Sequence, residues 1–446
     1  MNSRIDRISF FGLGYVGLVS AACLASKGFE VVGFDVDRKR LRELMDGDTP
    51  IYEPGLEELI KEGVTGKRLR FTADYKEAVL SSDLTFITVG TPSRQDGSID
   101  LTYVRSASKM IGDALRGKDG WHLVVVKSTV TPGTTGGIVR REIERASGKR
   151  CGHDFGLCMN PEFLREGSAV RDALEPDRVV IGEFDKRSGD ALEGLYREFY
   201  GKEMKLVRTS LVNAELIKYA SNAFLAMKVS FINMIANLCQ RIPGADVEVV
   251  AKGIGLDRRI GPDFLKAGLG WGGSCWPKDL KALKDEFERL GVDSPLIDAT
   301  LKVNDVQPYR ILELARGLLG SLDGKRVALL GLSFKPNTDD MRGAVSIRLV
   351  NALLDEGASV VVYDPKAMGN AKLVFGDRVD YAKDAIDCIK GSDCVVIVTE
   401  WDEFKELSPD DFLGEMRFPA VVDGRRIYDP EIFRRKLRFA AIGLGQ

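Results

Sequence analysis

Cys275 has the neighbours that covalent chemistry needs. It lies in Gly270-Trp271-Gly272-Gly273-Ser274-Cys275-Trp276-Pro277-Lys278-Asp279-Leu280, ahead of an amphipathic run through Leu283, Phe287 and Leu290. Pro277 suits the first turn of a helix, where a missing N–H costs nothing. Cys275 would then sit at a helix N-terminus, where the dipole and nearby Lys278 favour thiolate over thiol. Thiolate is the form that attacks carbonyl carbon. The glycines let a substrate approach the backbone closely. The competing reading is a buried, inert cysteine beside a turn, because free cysteine is among the most buried residue types.

Other polar residues have more than one reading each. Lys218 and Asn222 are four apart and share a helix face. Among Ile217, Ala220, Ala223 and Phe224 they form either a half-buried pair or a solvated stripe. Glu162, between Pro161 and Phe163, is a general base, a water-positioner or a carboxylate favoured by a helix N-terminus. Lys335 and Arg342 in Phe334–Arg342, and Arg425 in Asp423-Gly424-Arg425-Arg426, are surface charges or a phosphate-binding set. With only His122 and His153, a His-centred triad or a His-rich metal site has little material, and no metal is expected.

The elements around these residues alternate. A strand at Arg7–Phe11 runs into Gly12-Leu13-Gly14-Tyr15-Val16-Gly17, then a helix, then a strand at Glu30–Phe34 ending in Asp35. This is the context in which G-x-G-x-x-G signifies dinucleotide binding. Asp35 lies 18 residues past Gly17, near the spacing of a ribose-binding carboxylate, and favours NAD because it would repel a 2′-phosphate. Further strands at Asp83–Val89, His122–Lys127 and Phe155–Met159 put Thr91, Thr129 and Glu162 at strand ends, where parallel sheets bind ligands. From Asn213 to Gln240 one helical pattern runs 28 residues without Gly or Pro, about 42 Å at 1.5 Å per residue. The last part repeats the first in degenerate form: Gly357–Asp364 echoes Gly28–Asp35, and Ser392–Thr399 echoes Ser82–Val89. The expected fold is α/β, with two Rossmann-like doubly wound domains joined by a central helical domain containing one long helix.

Composition removes several classes of function. The 446 residues are 44% hydrophobic and 29% charged, with a net charge of −2, so no global basic field attracts nucleic acid or a membrane surface. No window approaches ~18 uninterrupted apolar residues. Met1-Asn2-Ser3-Arg4-Ile5-Asp6-Arg7 lacks the profile of a signal peptide. Seven cysteines with no C-x-x-C pair fit a reducing, cytoplasmic setting. A nicotinamide site beside a reactive cysteine suggests oxidation at the aldehyde level: thiolate adds to carbonyl, hydride leaves to NAD, and water hydrolyses the thioester.

The segments Gly12–Leu18, Lys127-Ser128-Thr129-Val130, Asn160–Gly167, Asn213–Asn222, Gly270–Leu280, Phe334–Arg342 and Asp423–Arg425 occur in that order. With them the chain resembles the nucleotide-sugar 6-dehydrogenases, most closely the UDP-glucose branch, over essentially its whole length. The resemblance implies oxidation of UDP-glucose at C6 to UDP-glucuronate with two NAD, through a thiohemiacetal and a thioester on Cys275. GDP-mannose or a UDP-N-acetylhexosamine is the alternative substrate for the same mechanism. It implies an NAD-binding domain over 1–205, a helical dimerisation domain over 206–316 and a sugar-nucleotide domain over 317–446. Lys218, Asn222, Asp279, Glu162 and Thr129 would be the catalytic neighbours of Cys275. Gly12, Gly14, Tyr15, Val16, Gly17, Asp35, Arg40, Thr91, Thr129, Glu166, Lys278 and Arg342 match cofactor positions. Glu162, Phe163, Leu164, Arg165, Lys218, Asn222, Phe264, Leu265, Lys266, Ala267, Gly268, Gly272, Lys335 and Arg425 match substrate positions. Arg259 would reach the substrate of a partner subunit in a homodimer. Trp271, Trp276 and Thr131 depart from the family's usual residues.

Overall fold

The computed structural model describes residues 4–445; Met1–Ser3, part of the N-terminal segment considered above, and Gln446 lie outside them. The chain divides into two units, Met1–Ser221 with Lys281–Glu286, and Asn222–Leu280 with Phe287–Gln446.

The first unit is built on β1 (Arg7–Phe11), β2 (Glu30–Phe34), β3 (Leu69–Thr72), β4 (Leu84–Ile87), β5 (His122–Val126), β6 (Phe155–Met159), β7 (Val179–Glu183) and β8 (Leu206–Ser210). Their order is β3-β2-β1-β4-β5-β6-β7-β8, parallel except for the β6–β7 pair. β4, β5 and β6 are buried throughout, as strands covered on both faces must be. Apolar clusters lie on both sides of the sheet, one around Phe10, Leu18 and Leu24, the other around Phe11, Ile111 and Val124. Register aligns Phe11 with Ile87, Ile87 with Val126, and Val126 with Met159. The residues after those strand ends therefore emerge in one row. The order reverses between β1 and β4, the place where such sheets bind ligands.

In the second unit β9 (Arg326–Leu330), β10 (Ser359–Tyr363), β11 (Asp380–Tyr381), β12 (Cys394–Ile397), β13 (Ala420–Asp423) and β14 (Arg438–Ala441) form an all-parallel sheet. Its order, β11-β10-β9-β12-β13-β14, repeats that of β3-β2-β1-β4-β5-β6. The copy has closed its glycine turn. A Cβ on Gly331 would meet Thr399 at 2.4 Å. Asp364, the counterpart of Asp35, is fully buried and accepts from the Leu332 N–H at 2.7 Å and the Trp401 indole at 3.1 Å.

The long helix runs from Leu211 to Cys239, 29 residues, close to the predicted span. By length and composition alone it could cross a bilayer, with mean hydropathy 1.3. Its buried polar groups are instead committed to other parts of the chain. Glu215 accepts from the N–H groups of Gly133 at 2.6 Å and Thr135 at 2.7 Å, and Lys218 and Asn222 are paired as described below.

His122 is completely buried in a hydroxyl network, its Nε2 2.8 Å from Thr85 Oγ1, which contacts Ser9 Oγ at 2.7 Å. Burial, and then the charge of Lys118, hold its imidazole well below the ordinary value of 6.5. Below pH 6.5 the unfolded chain takes up a proton there and the folded chain does not, so stability is lost as pH falls. Unfolding free energy relative to a His122→Gln variant should fall by about 1.4 kcal/mol per pH unit below that point. Denaturant titrations from pH 7.5 to 5.5 check this; a pH-independent difference would contradict it.

Candidate active site

The first unit carries a dinucleotide-type turn. Gly12 has φ +100°, a conformation that favours glycine. A Cβ on Gly17 would lie 2.0 Å from the Gly12 carbonyl oxygen, so the helix packs on the turn only without a side chain. Gly14, by contrast, faces open space. It is the N-cap of the helix Tyr15–Ser26, whose first turn, containing Val16 and Gly17, has no side-chain cap. A helix N-terminus left open in this way suits a pyrophosphate. Asp35 accepts from the Leu13 N–H at 2.7 Å and pairs with Arg40 at 3.2 Å. Thr91 Oγ1 donates to the Thr129 carbonyl at 2.9 Å, tying two strand ends together. Tyr15 reaches Gly167, the residue after Glu166, whose N–H bonds both the Tyr15 hydroxyl at 3.0 Å and Glu53 at 2.6 Å. These residues fit a dinucleotide.

Beyond β6 a second cluster forms. Glu162 and Lys218 are buried and paired at 2.9 Å. Glu162 also accepts from the Leu164 N–H at 2.6 Å. Burial alone would raise its carboxyl, but the charge and hydrogen bond of Lys218, the Leu164 N–H and the charge of Lys127 outweigh that and hold it below the ordinary carboxylate range. Glu162 is therefore an anion at neutral pH, an acceptor and not an acid. Phe163 has the Arg178 guanidinium 3.9 Å from its ring centroid and the Lys218 ammonium 5.4 Å away. Arg165 is exposed and turned onto Asp172 at 2.6 Å.

In the second unit Cys275 immediately precedes the helix Trp276–Arg289, and its carbonyl accepts the Asp279 N–H at 2.8 Å. It is thus the N-cap residue, with its side chain exposed; the other six cysteines are buried. Lys278 is turned onto Asp279, at 2.5 Å from Oδ1. The other oxygen of Asp279 accepts from Asn222 Nδ2 at 2.6 Å. A carboxylate 1% exposed is thereby held between an ammonium and an amide, one turn beyond Cys275.

Buried amides fix the loop ahead of the cysteine. Asn304 bonds both the N–H and the carbonyl of Trp271, at 2.7 and 2.9 Å. Asn233 accepts the Gly268 N–H at 2.8 Å, and Gln307 donates to its carbonyl at 2.9 Å. A Cβ on Gly272 would meet the Gly343 carbonyl oxygen at 2.3 Å. Trp271 donates to Ser230 at 3.0 Å and meets Trp276 edge-on at 5.9 Å; Trp276 in turn lies 5.9 Å from Phe264. Along the preceding segment Leu265 and Ala267 are buried. Lys266 approaches Glu400 at 4.0 Å, and Arg425 approaches the same carboxylate at 3.4 Å. Three predicted residues point to local partners: Arg259 to Asp257 at 2.6 Å, Arg342 to Asp340 at 2.7 Å, and Lys335 over the Phe334 ring at 5.4 Å. Sequence reasoning missed Glu53, Asn233, Asn304 and Gln307. Of these only the Asn304/Gln307 pair, polar positions three apart in a helical stretch, left a signal.

Residues 6–200 match the NAD binding domain of the UDP-glucose/GDP-mannose dehydrogenase family, 212–306 its central domain and 328–430 its UDP binding domain. The chain is 48% identical over 422 residues to UDP-glucose 6-dehydrogenase AglM of Haloferax volcanii, covering 94% of this chain and 96% of that one. It is 43% identical to UDP-glucose 6-dehydrogenase TuaD of Bacillus subtilis, covering 96% and 90%. The solved structure of a UDP-glucose dehydrogenase from Pyrobaculum islandicum matches with TM-score 0.92 and 42% identity, covering 99% and 98%.

Proposed function

This chain belongs to the UDP-glucose/GDP-mannose dehydrogenase family, and we propose that it oxidises UDP-glucose at C6 to UDP-glucuronate in two NAD-dependent steps. It is an oxidoreductase with NAD as cofactor. UDP-glucose 6-dehydrogenases at 40–48% identity support the substrate. A solved GDP-mannose dehydrogenase at 35% and a UDP-N-acetyl-mannosamine dehydrogenase at 25% carry the alternatives less far. The single observation behind the four-electron reading is Cys275, exposed at a helix start with the buried Asp279 one turn on.

NAD, when bound, accepts a hydride from C6 in each of the two oxidations. The residues do the rest. Glu162, with Thr129 beyond the end of the neighbouring strand β5, takes the C6 hydroxyl proton directly or through water as the alcohol becomes the aldehyde. The Cys275 thiolate then bonds to C6. Lys218 and Asn222, one turn apart on the same helix, donate to the resulting oxygen. Loss of the second hydride leaves a thioester. Water adds to it, Asp279 or Glu162 takes the proton, and the C–S bond breaks to return the thiolate and release the carboxylate. One UDP-glucose, two NAD and one water thus give UDP-glucuronate, two NADH and three protons, which pass to solvent.

Gly12, Gly14, Tyr15, Val16, Gly17, Asp35, Arg40, Thr91, Thr129, Glu166, Lys278 and Arg342 serve the cofactor. Phe163–Arg165, Phe264–Gly268, Gly272, Lys335 and Arg425 serve the sugar nucleotide. The domains run 1–205, 206–316 and 317–446, the last holding the uridine diphosphate. The active form is a homodimer to which Arg259 contributes across the subunit boundary. An exposed apolar stripe on the long helix (Phe224, Phe231, Met234 and Leu238) supports a partner there, and the Arg259 side chain is 88% exposed. A reducing, cytoplasmic setting suits seven cysteines with no C-x-x-C pair among them.

Two NADH should form per UDP-glucose consumed, measured by absorbance against a panel of UDP- and GDP-sugars. A ratio of one contradicts the thioester route. A preference for GDP-mannose or a UDP-N-acetylhexosamine reassigns the substrate.

A further inference from the structure

Lys127, the residue after β5, has no assigned part in the reaction above, yet it lies beneath the turn that bears Glu162. A cavity of about 270 Å³ within the first unit is lined by Lys127, Asn160, Glu162, Phe163, Arg178 and Tyr196, among others. The lysine is half-buried and lines this cavity. Its ammonium donates to Asn160 Oδ1 at 2.8 Å and lies 3.4 Å from the Tyr196 hydroxyl. Among the described residues no carboxylate pairs with it directly.

Asn160 is the keystone of the turn. Its Oδ1 takes bonds from Lys127 and from Tyr196, its Nδ2 donates to the Val180 carbonyl at 2.8 Å, and its N–H donates to the Val126 carbonyl at 2.8 Å. Pro161 follows and stiffens the backbone on both sides of itself. A displacement of Asn160 is therefore passed to Glu162. Desolvation makes a cation here costly and pushes the Lys127 amine down to about 8. A methionine would fill the same space without that cost. Packing alone does not account for a lysine whose hydrogen-bond partners are neutral.

We propose that Lys127 is a positioning residue: its ammonium anchors the Asn160-Pro161-Glu162 turn from below and so sets the Glu162 carboxylate at the place where it handles water or a proton. Lys127 and Lys218 then flank one carboxylate, Lys218 by direct contact and Lys127 through the turn. This rests on the dehydrogenase reading. Wild-type enzyme is therefore assayed first, and failure to form two NADH per UDP-glucose sinks that reading and this one together.

Given active wild type, Lys127→Met should lower kcat about 10²-fold, the cost of a small misplacement of a catalytic group, with KM for UDP-glucose and NAD little changed. Thermal stability and NAD binding should stay near wild type. Lys127→Ala should lose similar activity, and n-butylammonium, entering by the cavity, should restore it saturably where n-butanol does not. Unchanged kcat in Lys127→Met overturns the proposal. Equal rescue by butanol makes the role one of packing, and loss of the folded state or of NAD binding in both variants makes it one of folding; either result also overturns it.

Discussion

Cys275→Ser should stop steady NADH formation while UDP-glucose and NAD still bind. The expected loss in steady-state kcat is on the order of 10³-fold or more, because an alcohol at neutral pH supplies almost no anionic nucleophile. The fold should not suffer. Cys275 is an N-cap residue with an exposed side chain, and serine is among the best residues at that position. The first oxidation needs no thiolate, so a single turnover should yield at most one NADH per site before the aldehyde stalls. Stopped-flow absorbance with enzyme in excess separates the two steps. Near-normal steady turnover by the serine variant would remove the thioester from the mechanism.

What could be read from the chain depended on how local each feature is. Gly12, Gly14, Gly17 and Asp35 belong to one strand–turn–helix–strand unit, and their spacing is fixed by backbone geometry alone. Cys275 at a helix start follows from Pro277 and the apolar run beyond it, and the helix begins at Trp276. The long helix declared itself by 28 residues without Gly or Pro and begins and ends within two residues of that span. Side-chain direction was less legible. Lys278 neighbours the cysteine in sequence, but its ammonium lies on Asp279. The anchors of the catalytic loops were not legible, because each joins residues far apart in sequence. Asn304 is 33 residues from Trp271, Glu53 is 114 from Gly167, and Lys127 is 33 from Asn160. A single polar residue in an apolar pattern does not name its partner. Trp271 and Trp276, departures from the family pattern, pack against each other and, through Trp276, against Phe264. Their bulk therefore bears on the Phe264–Gly268 segment that the sugar nucleotide is proposed to meet.

Lys218→Met should cost both stability and rate, and the two losses should come apart in a double variant. The Lys218 and Glu162 side chains are 5% and 8% exposed and pair at 2.9 Å. Removing the ammonium leaves a buried carboxylate without its direct partner, which typically destabilises by about 3–5 kcal/mol. Lys127 and the Leu164 N–H still face the carboxylate and offset part of that. Glu162→Gln alone should cost less, because Lys218 keeps its contact with the Phe163 ring. Replacing both partners removes the unpaired charge, and buried pairs exchanged for neutral groups are often no less stable than the original. Glu162→Gln/Lys218→Met should therefore unfold at a denaturant midpoint near wild type. Its kcat should stay down by at least about 10²–10³-fold, because the proton acceptor at 162 and one donor to the developing oxyanion are both gone. Chemical unfolding and steady-state kinetics on the three variants test this. A double variant that regains activity with its stability would reduce the Glu162–Lys218 pair to a structural ion pair, and C6 would then need another base and another donor.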